Sequence, residues 1–147
     1  MRVYLDVCCL NRPFDDQRQA RIRLESEAVE LVLDKVAAGA LELCNSDALE
    51  YENWLNPDRE RRRAIRTLLS SATVYIELVP GVVERAGLLE RRGFGSMDAV
   101  HVASAELAEC EAMLTCDDPL LAKSRQSRRL LRTRVLNPTE IAGSVGP

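Results

Sequence analysis

Short runs that change character every second residue give way, along this chain, to longer runs with a helical period, and few folds accommodate that succession. Val3, Leu5 and Val7 alternate with Arg2, Tyr4 and Asp6, which predicts an N-terminal strand with Asp6 at or near its end. After the turn-like segment Asn11 to Asp16, apolar residues at Ile22, Val29, Val32, Leu33 and Val36 predict a helix over 17–38, closed by Gly39. A second strand is expected over 41–44. Ser46 can then cap a helix through Leu55, and Asn56-Pro57-Asp58 breaks it before an Arg-rich helix ending near Ser71. Residues 73–79 read as a third strand, 80–92 as a helix stopped by Gly93 and Gly95, and Ser96 as the N-cap of a helix rich in small residues. Residues 112–116 read as a fourth strand, Asp118-Pro119 as the start of another helix, and 134–136 as a short fifth strand. Strands alternating with helices imply an α/β fold, a three-layer α/β/α sandwich around a central, mainly parallel sheet.

A chain of 147 residues with 46% hydrophobic content suits one domain, expected to span 1–147. The formal net charge of −3 gives no bulk attraction to nucleic acid, yet the charges are unevenly placed. Between Pro119 and Leu136 stand Lys123, Arg125, Arg128, Arg129, Arg132 and Arg134 with no acid among them, and Arg59, Arg61, Arg62, Arg63 and Arg66 crowd a second stretch. Such runs are either solvated helix faces or phosphate contacts. The five cysteines, Cys8, Cys9, Cys44, Cys110 and Cys116, include no CxxC pair, which points to a reducing compartment. No charged leader precedes the first strand and no apolar run approaches the ~18 residues of a membrane span, so the expectation is a cytoplasmic protein that does not enter a membrane.

In a parallel sheet every strand ends on the same edge, where ligands bind, so side chains more than ninety residues apart can share one site. Asp6, Glu52, Asp98 and Asp117 all follow strands or open helices on that edge. Each has an ordinary explanation taken alone: Asp6 as a turn residue, Asp98 as a favourable charge in a first helical turn, Glu52 or Glu50 as a solvated helix face. Asp118 precedes Pro119 and looks like the N-cap of the next helix, which leaves Asp117 without a structural task. An aspartyl-phosphate enzyme would want a second acid where Cys8 stands, and no phosphate-binding GxxxxGK[ST] loop is present. As a set, the carboxylates suit Mg²⁺ or Mn²⁺, hard cations that prefer oxygen ligands and could polarise a phosphoryl group and activate water.

Leu5 to Asn11 (LDVCCLN), the segment ELCNSDALEYE, Gly93 to Ala105 (GFGSMDAVHVASA) and Met113 to Leu121 (MLTCDDPLL) together resemble the PIN-domain family, including VapC-type toxin ribonucleases. The resemblance spans nearly the whole chain. It implies metal-ligating aspartates at Asp6, Asp98 and Asp117, an acidic site residue at Glu52 with Glu50 as the rival register, Ser46 as the serine after the second strand, and Thr115 and Asp118 as supporting residues. It further implies metal-dependent hydrolysis of RNA, a homodimer and, in a toxin, a small antitoxin protein covering the site. Arg128 and Arg129 are the expected substrate contacts, positioning phosphates without reading sequence. Two other functions fit the same residues: a PIN-fold interaction module without turnover, and a metal-dependent nuclease acting on DNA or structured nucleic acid.

His101, three positions after Asp98, can face the same pocket but is read as a packing or hydrogen-bonding residue and not as a general base. Cys8, Cys44 and Cys116 fall near strand ends and admit a redox or soft-metal site, with small buried packing residues as the adopted reading. Trp54 is a core or interface anchor.

Overall fold

The computed structural model describes residues 1–142, so 143–147 of the expected 1–147 domain lie outside the described residues. Strands β1 (Arg2–Leu5), β2 (Glu42–Ser46), β3 (Val74–Ile76), β4 (Ala112–Leu114) and β5 (Arg134–Leu136) form one sheet in the order β3-β2-β1-β4-β5. Every pairing is parallel, with Val3 opposite Leu43 on one side and Ala112 on the other. Around the sheet run α1 (Val7–Asn11), a 3₁₀ turn (Arg12–Phe14), α2 (Ala20–Ala37), α3 (Asp47–Trp54), α4 (Arg59–Leu69), α5 (Pro80–Arg91), α6 (Ser96–Leu107), α7 (Asp118–Gln126) and α8 (Pro138–Ala142). The three-layer α/β/α architecture is the expected one.

Val3, Tyr4 and Leu5 of β1 and Ala112, Met113 and Leu114 of β4 are wholly buried, because helices cover both faces of the sheet centre. The alternation that marks β1 in sequence is therefore not an inside-outside pattern: Tyr4 and Asp6 are as buried as their apolar neighbours. β3 has only one neighbour in the sheet, keeps Tyr75 exposed, and is three residues long where seven were expected. Burying a Leu or Met of the core stabilises the fold by about 1.5–3 kcal/mol each, which makes this central pair of strands the firmest support on which to mount a site.

Helix ends follow the sequence signals at most positions. The Ser46 hydroxyl accepts from the Leu49 amide at 3.0 Å to cap α3, and Asp58 accepts from Glu60 and Arg61 to cap α4. Gly39 and Gly93 adopt positive φ, 78° and 100°, just past α2 and α5, where a side chain would be strained. α6 is buried almost all round through Ala99, Val102, Ala103 and Ala105, as its small residues suggested for a helix lying close on the sheet.

Three local expectations differ. β1 stops at Leu5, and the chain turns at once into α1, whose first amide is capped by Asp6 at 2.8 Å. Residues 7–11 thus form a five-residue helix that no expected element covered, and the expected turn from Asn11 to Asp16 contains the 3₁₀ turn, held by Arg12 to Asp15 at 2.8 Å, Arg12 to buried Glu25 at 2.9 Å, and Arg61 to Asp15 at 2.7 Å. α6 is capped by Gly95 rather than Ser96, which is the first helical residue. α8, unmarked by any period, packs against α2.

Candidate active site at the strand ends

The strand order reverses direction between β1 and β4, the crevice in which open parallel sheets bind ligands. Asp6 leaves β1 at that point and Asp117 leaves β4 opposite it. The Asp6 carboxylate is almost entirely buried: Oδ1 accepts the Val7 amide at 2.8 Å, and Oδ2 accepts the Thr115 hydroxyl at 2.8 Å and the Cys8 thiol at 3.4 Å. Burial raises the Asp6 pKa to about 8, with Cys8 and Glu52 adding to the rise while His101 and Thr115 oppose it.

Glu52 reaches the same point from α3. Its Oε2 lies 3.3 Å from His101 Nε2, which in turn is 3.9 Å from Asp6 Oδ1. His101 Nδ1 meets the Tyr4 hydroxyl at 2.6 Å, and that hydroxyl meets Ser46 Oγ at 2.7 Å. One arrangement satisfies every group: the Ser46 hydroxyl donates to Tyr4, Tyr4 donates to Nδ1, and Nε2–H donates to Glu52. Burial works to lower the His101 pKa but is outweighed by Glu52, Asp6 and Asp98, so the net shift is upward. Of the two rival glutamates, Glu50 accepts from Asn45 Nδ2 at 2.8 Å on another side of α3, and Glu52 faces the cluster.

Asp98 stands in the first turn of α6, its pKa raised to about 6 by partial burial and then by the charges of Asp117, Asp6 and Glu52. The four expected carboxylates are therefore electrostatic neighbours. The tightest group among the described residues is Asp6, Glu52 and His101, each able to place a ligand atom within 4.8 Å of the others. His101 was expected to be a packing or hydrogen-bonding residue able to face this pocket, and it is buried there with hydrogen bonds to Tyr4 and Glu52. Its spacing of three from Asp98 was the signal, since residues three apart share a helix face.

The assignment of the two neighbouring aspartates is reversed in one respect. Asp117, not Asp118, is the N-cap of α7: it has extended backbone and its Oδ1 accepts the Leu120 amide at 3.2 Å. Pro119 is thus the second helical residue and has no N–H, which leaves Leu120 as the cap's available donor. Asp118 is exposed and forms a two-pronged pair with Arg21 at 2.7 and 2.8 Å, and Arg21 holds its pKa down.

An open cleft of about 610 Å³ adjoins the cluster, lined by Cys8, Asn11 and Glu52 with Arg12 and Arg61 among its walls. Arg128 and Arg129 do not join it. α7 starts at the strand-end edge and carries the chain back to the opposite edge, about 13 Å over its nine residues, before the two exposed arginines appear ahead of β5. Cys44 lies within β2, whereas Cys8, Cys9 and Cys116 gather beside Asp6.

Burial is the first cause of both raised pKa values and neighbouring acidic groups add to them, a setting that an added cation would relieve, and the all-oxygen donor set of Asp6, Asp98 and Asp117 is chemically suited to a hard divalent cation. A family model described as PIN domain matches residues 3–125. Among solved structures the fold is similar to FitAcB from Neisseria gonorrhoeae, with TM-score 0.57 and 15% identity, covering 92% of this chain and 97% of that one. It is also similar to VapBC2 from Rickettsia felis bound to a DNA fragment from their promoter, with TM-score 0.53 and 14% identity, covering 93% and 98%. No curated protein matches in sequence.

Proposed function

The chain belongs to the PIN-domain family, and from that premise we propose that it is a Mg²⁺- or Mn²⁺-dependent endoribonuclease whose site is built from Asp6, Glu52, Asp98 and Asp117. The observation that carries this reading is the convergence of four carboxylates from four separate elements on the sheet's switch point, where burial and mutual repulsion hold Asp6 and Asp98 protonated above the usual carboxylate range. Asp6, Asp98 and Asp117 would hold the cation. When bound there, a divalent cation supplies Lewis acidity toward a phosphoryl oxygen and makes water more acidic. Glu52 Oε2 is engaged by His101, which leaves Oε1 to take a proton from the attacking water, while His101 and Tyr4 fix the carboxylate's direction. Thr115 donates to Asp6 Oδ2 and keeps Oδ1 and Oδ2 in a fixed plane.

The cleft beside Glu52 gives a single strand room to approach, and Arg128 and Arg129 are proposed to touch flanking phosphates of a longer RNA on the far edge. The titles of the structural neighbours name two-component complexes, FitAcB and VapBC2. A protein partner, an antitoxin or a second copy in a homodimer, is consistent with the apolar surface left exposed by Trp54, Leu55, Tyr75, Leu78 and Val83.

The test is cleavage of one sequence supplied as RNA and as single-stranded DNA, with Mg²⁺, Mn²⁺ or chelator, by the wild-type chain and Asp98→Asn. RNA cleavage that needs metal and disappears in a folded Asp98→Asn is expected. Equal cleavage of DNA would favour the broader nuclease, metal binding without cleavage would favour an interaction module, and activity surviving in chelator would overturn the metal-dependent mechanism.

A further inference from the structure

The thiols of Cys8, Cys9 and Cys116 form a group beside the carboxylate cluster, which it touches only through the Cys8 thiol's bond to Asp6 Oδ2. Their sulfurs all lie within 4.8 Å of one another, and Cys9 Sγ is 3.7 Å from Cys116 Sγ. Two sulfurs bound at ~2.3 Å to one tetrahedral Zn²⁺ are about 3.8 Å apart, so this pair already has the spacing of one edge of a zinc site. Cys8 needs only a small shift to bring the third sulfur to the same distance.

The surroundings favour a cation here. Cys8 and Cys9 occupy the first turn of α1, and Cys116 follows β4, so both arms hang on the most buried part of the sheet and cannot drift apart. Cys9 and Cys116 are buried while Cys8 lines the open cleft, which gives an entry path and solvent access for a fourth position. Three thiolates with Zn²⁺ carry a net charge of −1, and the Arg12 guanidinium is an electrostatic neighbour of Cys116. Packing alone accounts for a buried Cys9. It does not account for three sulfurs converging at a solvent opening.

We propose that Cys8, Cys9 and Cys116 form a three-thiolate site for a thiophilic divalent cation, of which Zn²⁺ is the type, adjacent to and chemically distinct from the oxygen-rich cluster. The site rests on the sulfur geometry and is independent of the nuclease reading. Mg²⁺ and Mn²⁺, which prefer oxygen ligands, do not compete for it.

The test uses the full chain kept reduced by a phosphine, with Co²⁺ as a coloured stand-in for Zn²⁺. One equivalent of Co²⁺ should produce a thiolate-to-metal charge-transfer band and the intense visible bands of tetrahedral cobalt, both removed by stoichiometric Zn²⁺ and unaffected by tenfold Mg²⁺. Cys8→Ser and Cys116→Ser should each lose the charge-transfer band and weaken Zn²⁺ binding at least tenfold in competition with a chelating dye, with Cys44→Ser retaining both. Because Cys116 is buried, Cys8→Ser at the cleft decides the matter if Cys116→Ser fails to fold. Absence of the band in the wild type, its survival in Cys8→Ser, its loss in a folded Cys44→Ser, or its removal by Mg²⁺ would each overturn the proposal.

Discussion

Replacing Asp117 in two ways separates the carboxylate's role at the helix end from its role in the acidic cluster. Its Oδ1 accepts the Leu120 amide at 3.2 Å and closes the first turn of α7. Asn caps helices as well as Asp, so Asp117→Asn keeps an acceptor in place and removes only the charge, whereas Asp117→Ala removes both, at a cost of about 1 kcal/mol for the lost cap. For a domain of this size that corresponds to a fall in Tm of about 3–4 °C. The charge has its own effect, since Asp117 is the first of the neighbouring carboxylates that raise Asp98 to about 6. Removing it relieves repulsion, so metal-free Asp117→Asn should melt within about 0.5 kcal/mol of wild type or slightly above it. Melting curves at pH 7 with and without Mn²⁺ distinguish the two functions. A cation bound at a hundredfold excess over its Kd stabilises by about 2.7 kcal/mol, and both variants should lose most of that gain while only Asp117→Ala loses the cap. Asp118→Ala, which breaks an exposed pair with Arg21, should leave both melting and Mn²⁺ response near wild type. If Asp117→Asn fell as far as Asp117→Ala, or kept the full Mn²⁺ gain, the division of roles would be wrong.

The raised pKa values of Asp6, about 8, and Asp98, about 6, favour their protonated forms in the fold, so metal-free stability should be greatest near the ordinary carboxyl range and decline as pH rises through 6 and then 8. Mn²⁺ must displace those protons, and calorimetry should therefore show its affinity climbing from pH 6 to 8.5 with proton release; a flat profile would remove the protonated carboxyls from the account. For the far-edge arginines, Arg128→Glu with Arg129→Glu should weaken binding of long RNA and lower the log–log salt slope by about 0.7 per lost contact, with cleavage of a short oligonucleotide intact. Unchanged slope in the folded double variant would make the pair a solvated surface.

The carboxylate positions were legible because a parallel sheet delivers every strand end to one edge, which fixes the neighbourhood of Asp6 and Asp117 from connectivity alone. What stayed hidden depended on contacts. A five-residue helix such as α1 is shorter than two turns and shows no period, so its existence rests on the Asp6 cap and on the pairing of Arg12, Asp15, Glu25 and Arg61. The cap at 117 or 118 was undecidable from Pro119, which is tolerated at either of the first helical positions; the Leu121 amide to Asp117 carbonyl bond, at 3.0 Å, makes the choice. His101 becomes part of the site through Tyr4, ninety-seven residues away, a contact set by how α6 lies on β1. Arg128 and Arg129 follow Asp117 closely in sequence, but the intervening helix takes them to the other edge.

The hydrogen-bonded chain from Ser46 through Tyr4 and His101 to Glu52 begins and ends on one helix, for Ser46 caps α3 and Glu52 lies within it. Covalent backbone from Leu49 to Glu52 closes it into a ring that also threads β1 and α6. A ring has no loose end, so a Glu52 that swings toward a ligand either gives up its bond to His101 or passes the movement round to the Ser46 hydroxyl and the Leu49 amide that leans on it. That buried amide is thereby an internal gauge: its protection from solvent exchange should change with the state of a carboxylate to which it is joined only through the ring.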